Sequence, residues 1–289
     1  MRLTYALFFV FSTITGLNSQ VNLLNSKTVD QIGKKTANQI KVYIDEPLPY
    51  GYVDDRDILW SKIVWETIDL NQKINLPFYF PTDTTAVLSN RRSLFDSLMK
   101  GIKRGDIKDV YNDSNLLTKM TQEELSDKLS ARVENGLDEE TGKVNIDEFS
   151  IVSREVSAYQ IKGIWYFDKR QGELKYRLLA IAPMGIDVQS KAGGIKDDAL
   201  YTLFWVYYPT ARKTLHNSKV FNPETTIQSI SFDQILNARR FSSVIIKEQN
   251  VYGDRAIEDY IRGNSLFRLL EAEKIKEDIR NREMDMWNY

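Results

Sequence analysis

Cysteine is absent from all 289 residues. No disulfide can brace the chain, no thiolate can act as nucleophile, and no cysteine exists for the acylation that anchors a bacterial lipoprotein. Anything that holds this protein at a membrane is therefore expected to be another protein. Histidine occurs once, as His216. A zinc site of the usual His and Cys donors is excluded, and no partners at triad spacing accompany His216, which reads as a solvated group on a short helix. Net charge is nearly absent too: 39 basic against 40 acidic residues leave −1. That balance excludes a dominant, non-specific attraction to nucleic acid or anionic lipid. No cofactor motif appears, and Gly101-Ile102-Lys103-Arg104-Gly105 lacks the spacing of a phosphate loop.

Long apolar runs are missing as well. The longest, 3–14, holds twelve residues, where a membrane-spanning helix needs about 20. It follows Arg2 and precedes Thr15, Gly16, Asn18 and Ser19, the pattern of a secretory signal peptide over 1–19, although no clear small-x-small cleavage site is present. Residues 20–52 are polar, with Pro47, Pro49 and Gly51 near the end, and read as an extended arm. The remainder, 53–289, reads as one domain.

What is there points to an α+β fold. Strands are expected at 158–168, 173–183 and 200–209, the first two joined by a hairpin through Asp168-Lys169-Arg170-Gln171-Gly172. A fourth is expected at 243–248, and a short one at 107–111. The second run alternates polar and apolar only in its first half, as suits an antiparallel sheet wet at one end and covered at the other. The prediction is a sheet of three to four strands packed with helices from both ends of the chain.

Those helices are expected at 54–70, 91–104, 121–132, 211–217, 231–240, 254–261 and 264–285. In the first, Asp57, Ser61, Lys62, Glu66 and Asp69 make one polar stripe, with Lys62 and Glu66 spaced as an i,i+4 pair. The rest is apolar and includes Trp60 and Trp65, so this helix is expected to be covered by its own domain or a neighbouring subunit. Phe78 and Tyr79, fenced by prolines, and Trp287 and Tyr289 at the chain end complete the candidate contact residues. The last helix carries a thin apolar line, Leu269, Ala272, Ile275, Ile279 and Met286, expected to lie along a surface.

Aligned on Gly142, residues 137–148 imitate a calcium loop, with Asn145 ninth and Glu148 twelfth. Its first position is Leu137, which has no oxygen to offer, so no metal is expected there. Acids are plentiful, but nothing marks two of them as a catalytic pair. A carboxylate-dependent hydrolase is the rival to a contact-making protein, and a periplasmic small-ligand binder is a third reading.

Several stretches together resemble the GldN family of gliding-motility proteins, also called PorN. They include Asp57-Ile58-Leu59-Trp60-Ser61-Lys62, Trp65-Glu66-Thr67-Ile68-Asp69-Leu70, Lys73-Ile74-Asn75-Leu76-Pro77 and Tyr176-Arg177-Leu178-Leu179-Ala180-Ile181-Ala182-Pro183. Trp205-Val206-Tyr207-Tyr208-Pro209, Arg240-Phe241-Ser242-Ser243, Lys247-Glu248-Gln249-Asn250-Val251-Tyr252 and the terminal Trp287-Asn288-Tyr289 continue the likeness in order. The resemblance implies a non-catalytic periplasmic component of the type IX secretion system of Bacteroidetes. It implies self-association in a ring under the outer membrane with a GldK/PorK-like lipoprotein, and a link to a GldM/PorM-like inner-membrane motor partner. No catalytic, cofactor or metal residues come with it.

Overall fold

The computed structural model describes residues 46–83, 92–137, 144–194, 199–220 and 230–286. The signal-peptide reading, most of the arm, the turn at Asn222-Pro223, the acidic turn before Val144, and both Trp287 and Tyr289 lie outside the described residues. Every described element belongs to the compact unit that begins at Pro47.

The stretch 54–70 does not form the expected Trp60/Trp65 helix. It is a twelve-residue strand, β1 (Ile58–Asp69). Only the 3-10 turn Asp55–Asp57 precedes it, with the Asp54 carboxylate accepting from the Arg56 amide. Ile58, Ile63, Val64, Thr67 and Ile68 are β-branched and favour a pleated backbone, but two charged residues on a face that tertiary contacts cover disguised the alternation. Lys62 makes no i,i+4 pair with Glu66. It bonds Glu248 on a neighbouring strand at 2.6 Å, while Glu66 is fully buried and gripped by Arg239.

β5 (Val156–Asp168) and β6 (Glu173–Gly185) form the long central hairpin. The left-handed φ of +62° at Gly172 lets the Gly172 amide close the turn onto the Asp168 carbonyl at 2.8 Å. β1 pairs antiparallel with β5 along nearly its whole length. β11 (Val244–Glu248) lies outside β1, while β8 (Trp205–Tyr207) and then β2 (Val110–Tyr111) lie beyond β6. With β7 (Tyr201–Thr202) also on β6, the sheet has seven strands, not three to four. The shortfall came from β1, read as a helix, and from the run 200–209. That run breaks at Leu203 and Phe204, which turn into the core, and helix starts at Tyr208 with Pro209 in its first turn.

Two further pairs stand apart from this sheet: β3 (Ser130–Leu137) with β4 (Val144–Ser150), and β9 (Lys219–Val220) with β10 (Ile230–Ser231). The helices are α1 (Leu76–Tyr79), α2 (Leu94–Arg104), α3 (Gln122–Leu129), α4 (Val188–Ala192), α5 (Tyr208–Asn217), α6 (Phe232–Asn237), α7 (Ile257–Tyr260) and α8 (Ser265–Met286). α3 opens on the expected capping box of Thr121 and Glu124, yet it ends at Leu129 because Ser130 begins β3. α6 ends at Asn237 rather than 240, and Arg239 takes a left-handed φ of +49°.

Most helices collect on one face of the sheet. Ile68, Tyr159, Ile161, Ile181 and Val206 meet Leu98 of α2, Leu215 of α5 and Phe232 of α6 in the main core. On the same face, nearer β11, Val64 and Ile245 meet Ile275 and Ile279 of α8 in a second cluster. Of the thin line on α8, Ala272, Ile275 and Ile279 thus dock onto the domain's own sheet, while Leu269 stays about half exposed. The third cluster is on the opposite face, around Trp65, Trp205, Ala180 and Ala182, with Tyr111 and Leu116 packed against it and no helical residue among those described.

Candidate interaction surfaces

Along β1 the two clusters of the helix-covered face are separated by Glu66, which follows Val64 and precedes Ile68. Arg239 donates from both terminal nitrogens to the Glu66 carboxylate at 3.0 and 2.7 Å, and the Ser243 hydroxyl donates to the same group. The Arg239 guanidinium also lies 4.0 Å from the Tyr176 ring centre and 5.2 Å from those of Trp165 and Phe241. Burial, and then the charge of Glu66, pushes the Tyr176 phenol far above its ordinary range. A buried carboxylate this well satisfied is structural, and its partner comes from 173 residues away.

Among the described residues, the other two deeply buried carboxylates are also neutralised by cations. Asp233 receives the Arg212 Nε at 2.9 Å together with the Tyr208 hydroxyl at 2.8 Å, and Asp168 faces Lys175 at 3.5 Å. No two of the three share a site, which is the geometry a pair of catalytic acids would need. Among the described residues no group of His, Cys, Asp and Glu is placed to hold a metal ion. His216 is half-buried near the end of α5. An open groove of about 840 Å³ runs between α2 and α3, with Phe95, Met99 and Leu125 on its floor. Asp83, Asp96, Lys103 and Arg154 also line it, and Asp96 is engaged by Arg92 and Lys100.

Residues 47–52 lie on the domain as a strap held by arginines. Arg212, Arg177 and Arg170 donate to the backbone carbonyls of Leu48, Gly51 and Tyr52 at 2.6, 3.0 and 2.7 Å. The Tyr50 ring takes the Arg212 and Arg177 guanidinium groups at 4.1 and 4.6 Å, and its hydroxyl reaches Asn237. Burial pushes the Tyr50 phenol up to about 12.

The structure separates the contact residues picked from sequence. Trp60 packs half-buried with Val64 on the helix-covered face, whereas Trp65, five residues on, is buried on the other face with only 3% exposed. Phe78 is in the main core against Phe232 and Phe241. Tyr79 packs partly buried beside it and donates to the Arg154 carbonyl, while the adjacent Phe80 is half exposed. Sequence reasoning missed Leu266, Phe267 and Leu270 at the start of α8, which are more than half exposed on the side away from Ala272 and Ile275, and Leu269, placed on the apolar line, is itself about half exposed. The signal was present as a second apolar face on the first two turns.

A family model described as gliding motility associated protein GldN matches residues 53–288. No individually curated protein matches the chain.

Proposed function

The chain belongs to the GldN family of gliding motility associated proteins, and from that premise we propose that it is a non-catalytic, periplasmic part of the type IX secretion and gliding apparatus. In this reading it assembles with copies of itself and with a GldK/PorK-like lipoprotein into a ring under the outer membrane, and communicates with a GldM/PorM-like motor protein. The observation that carries the reading is the extent of the family match, which runs from the start of the domain to the end of α8. Three further features support it. The sequence holds no cysteine, the deeply buried acids among the described residues are each committed to a cation, and large apolar side chains are exposed at Phe80 and at the start of α8.

The test is deletion and complementation in the native organism. Loss of the chain is expected to abolish both surface spreading and export of secreted cargo, and a tagged copy is expected to fractionate with the outer membrane and to co-purify with the lipoprotein. A tagged copy found as a free monomer, with export intact in the deletion strain, would sink the reading.

A further inference from the structure

α8 has two opposite faces. Ala272, Ile275 and Ile279 dock on the sheet. On the far side of the helix lie Phe267, Leu270, Lys274, Glu277, Asn281 and Met284, at alternating spacings of three and four. That spacing keeps one narrow seam pointing outward along the whole helix, as in a coiled coil. All six are exposed, and Phe267, Leu270 and Met284 leave 56, 55 and 59% of their surface to water. Beside the first two, Tyr260 and Ile261 border an open depression of about 470 Å³. The seam is apolar near its ends and charged at its centre. Lys274 pairs loosely with Glu271 of its own helix, at 3.9 Å, and no ion pair engages Glu277 or Arg280 among the described residues.

The order of charges on this seam is complementary to itself, in one direction only. Parallel pairing with a second copy would set Lys274 against Lys274 and Glu277 against Glu277. Turned end for end about a two-fold axis between Ile275 and Lys276, the same seam sets Lys274 opposite Glu277, Leu270 opposite Asn281 and Phe267 opposite Met284. The symmetry makes each of these pairs twice. On one flank Glu273, which also bonds Lys276 of its own helix at 2.7 Å, meets Arg280. On the other flank Glu271 meets Asp278, a like-charge pair, but Glu271 is tied to Lys274 and the Tyr260 hydroxyl within its own copy. Attractive pairs thus outnumber repulsive ones two to one.

We propose that α8 is a self-recognition surface, on which a second copy of this chain lays its own α8 antiparallel. The Met284 thioether of each copy fills the depression beside Phe267 of the other, a role suited to a flexible apolar side chain. The proposal rests on the reading of the chain as self-associating, and adds the contact and its symmetry. An isologous pair closes on itself and cannot by itself propagate a ring. At 1.5 Å per residue the seam is roughly 26 Å long, which falls short of the about 1,200 Å² that a stable interface buries, so the dimer is weak and concentration-dependent.

Sedimentation of the full-length purified chain over a concentration series reads the pairing, with a thermal melt of every variant in parallel. The wild type is expected to dimerise. Lys274→Glu and Glu277→Lys are each expected to weaken the dimer about tenfold, because either change sets like charges at the centre of the seam. An equimolar mixture of the two variants should recover the wild-type affinity, since opposite signs then face each other again in both places. A merely structural role for either residue gives no such rescue. The absence of cysteine makes a second readout clean: Leu270→Cys mixed with Asn281→Cys should form a disulfide-linked heterodimer on oxidation. Four outcomes each overturn the proposal: a chain that stays monomeric at millimolar concentration, a dimer indifferent to both charge reversals, no recovery in the mixture, or Leu270→Cys linking to itself in preference to Asn281→Cys. A dimer that behaves as expected, in a chain that does not fractionate with the outer membrane, upholds the α8 pair and rejects the secretion reading. Outer-membrane fractionation of a chain that never dimerises does the reverse.

Discussion

Arg239 holds both carboxylate oxygens of Glu66 at the boundary between the two apolar clusters that cover one face of the sheet. Removing either partner strands the other as an uncompensated charge in a buried setting. Arg239→Ala or Glu66→Ala is expected to cost about 3–5 kcal/mol in urea unfolding. Replacing both together by Met and Leu should recover most of that loss. Damage in the double variant equal to the sum of the two single losses would mean that the pair is not an energetic unit.

Trp65 and Trp60 should respond differently to truncation. Trp65→Ala empties a buried volume and is expected to cost about 3–5 kcal/mol. Trp60 is only partly covered, so Trp60→Ala should cost clearly less. Denaturant melts of the two variants make the comparison, and a reversed order would contradict the strand placement of this segment.

Gly163 leaves room for the Tyr176 ring, because a Cβ built there would overlap the phenol. Gly163→Ala is expected to destabilise the domain by about 1–3 kcal/mol. In a Tyr176→Ala background the same change should cost much less. The double-mutant coupling is the measurement, and independence of the two sites would refute the contact.

The strap predicts an alkaline transition. Tyr50 has its phenol raised in the folded state, mainly by burial, so the folded protein keeps a proton that the unfolded chain releases. Its contribution is complete below the ordinary tyrosine range near 10 and is lost as pH climbs through about 12. Tyr159, Tyr176 and Tyr208 are raised in the same direction, so the strap's share is the difference between wild type and Tyr50→Phe. Tyr50→Phe should flatten stability against pH in that window, and identical slopes would count against it.

Arg212 and Arg177 hold the strap in unequal ways. Arg212→Ala also leaves Asp233 buried and unpaired, so it should lower global stability by about 3–5 kcal/mol. Arg177→Ala removes a carbonyl contact, one face of the Tyr50 clamp and a looser contact with the Tyr166 ring, and strands no buried charge. It is expected to leave the melt within about 1 kcal/mol of wild type while speeding protease cleavage within 47–52. Limited proteolysis followed by mass spectrometry distinguishes the two.

Local chemistry was readable without coordinates wherever it acts over a few residues. The β5–β6 hairpin, the Thr121 helix cap, the stop of α2 at Gly105 and the long α8 all follow from short-range patterns. β1 was not readable, because helical spacing of Lys62 and Glu66 mimics a local pair while their real partners, Glu248 and Arg239, come from the far end of the chain. The same holds for the contact residues. Sequence singles out Trp60, Trp65, Phe78 and Tyr79 by type, but burial by distant elements determines which of them water can reach.

By itself, then, the sequence determined which chemistry these 289 residues cannot supply: with no cysteine and one histidine they offer no disulfide, no thiolate and no usual zinc site. It also carried the family likeness in the order of its motifs. Only the tertiary structure decided that Trp60 and Trp65 face opposite ways, that Arg239 neutralises Glu66, and that Lys162 and Lys247 converge on one indole. The physical reason is that strand pairing and ion pairing join residues separated by a hundred positions or more. Nothing in a local pattern records which distant residue will be the neighbour.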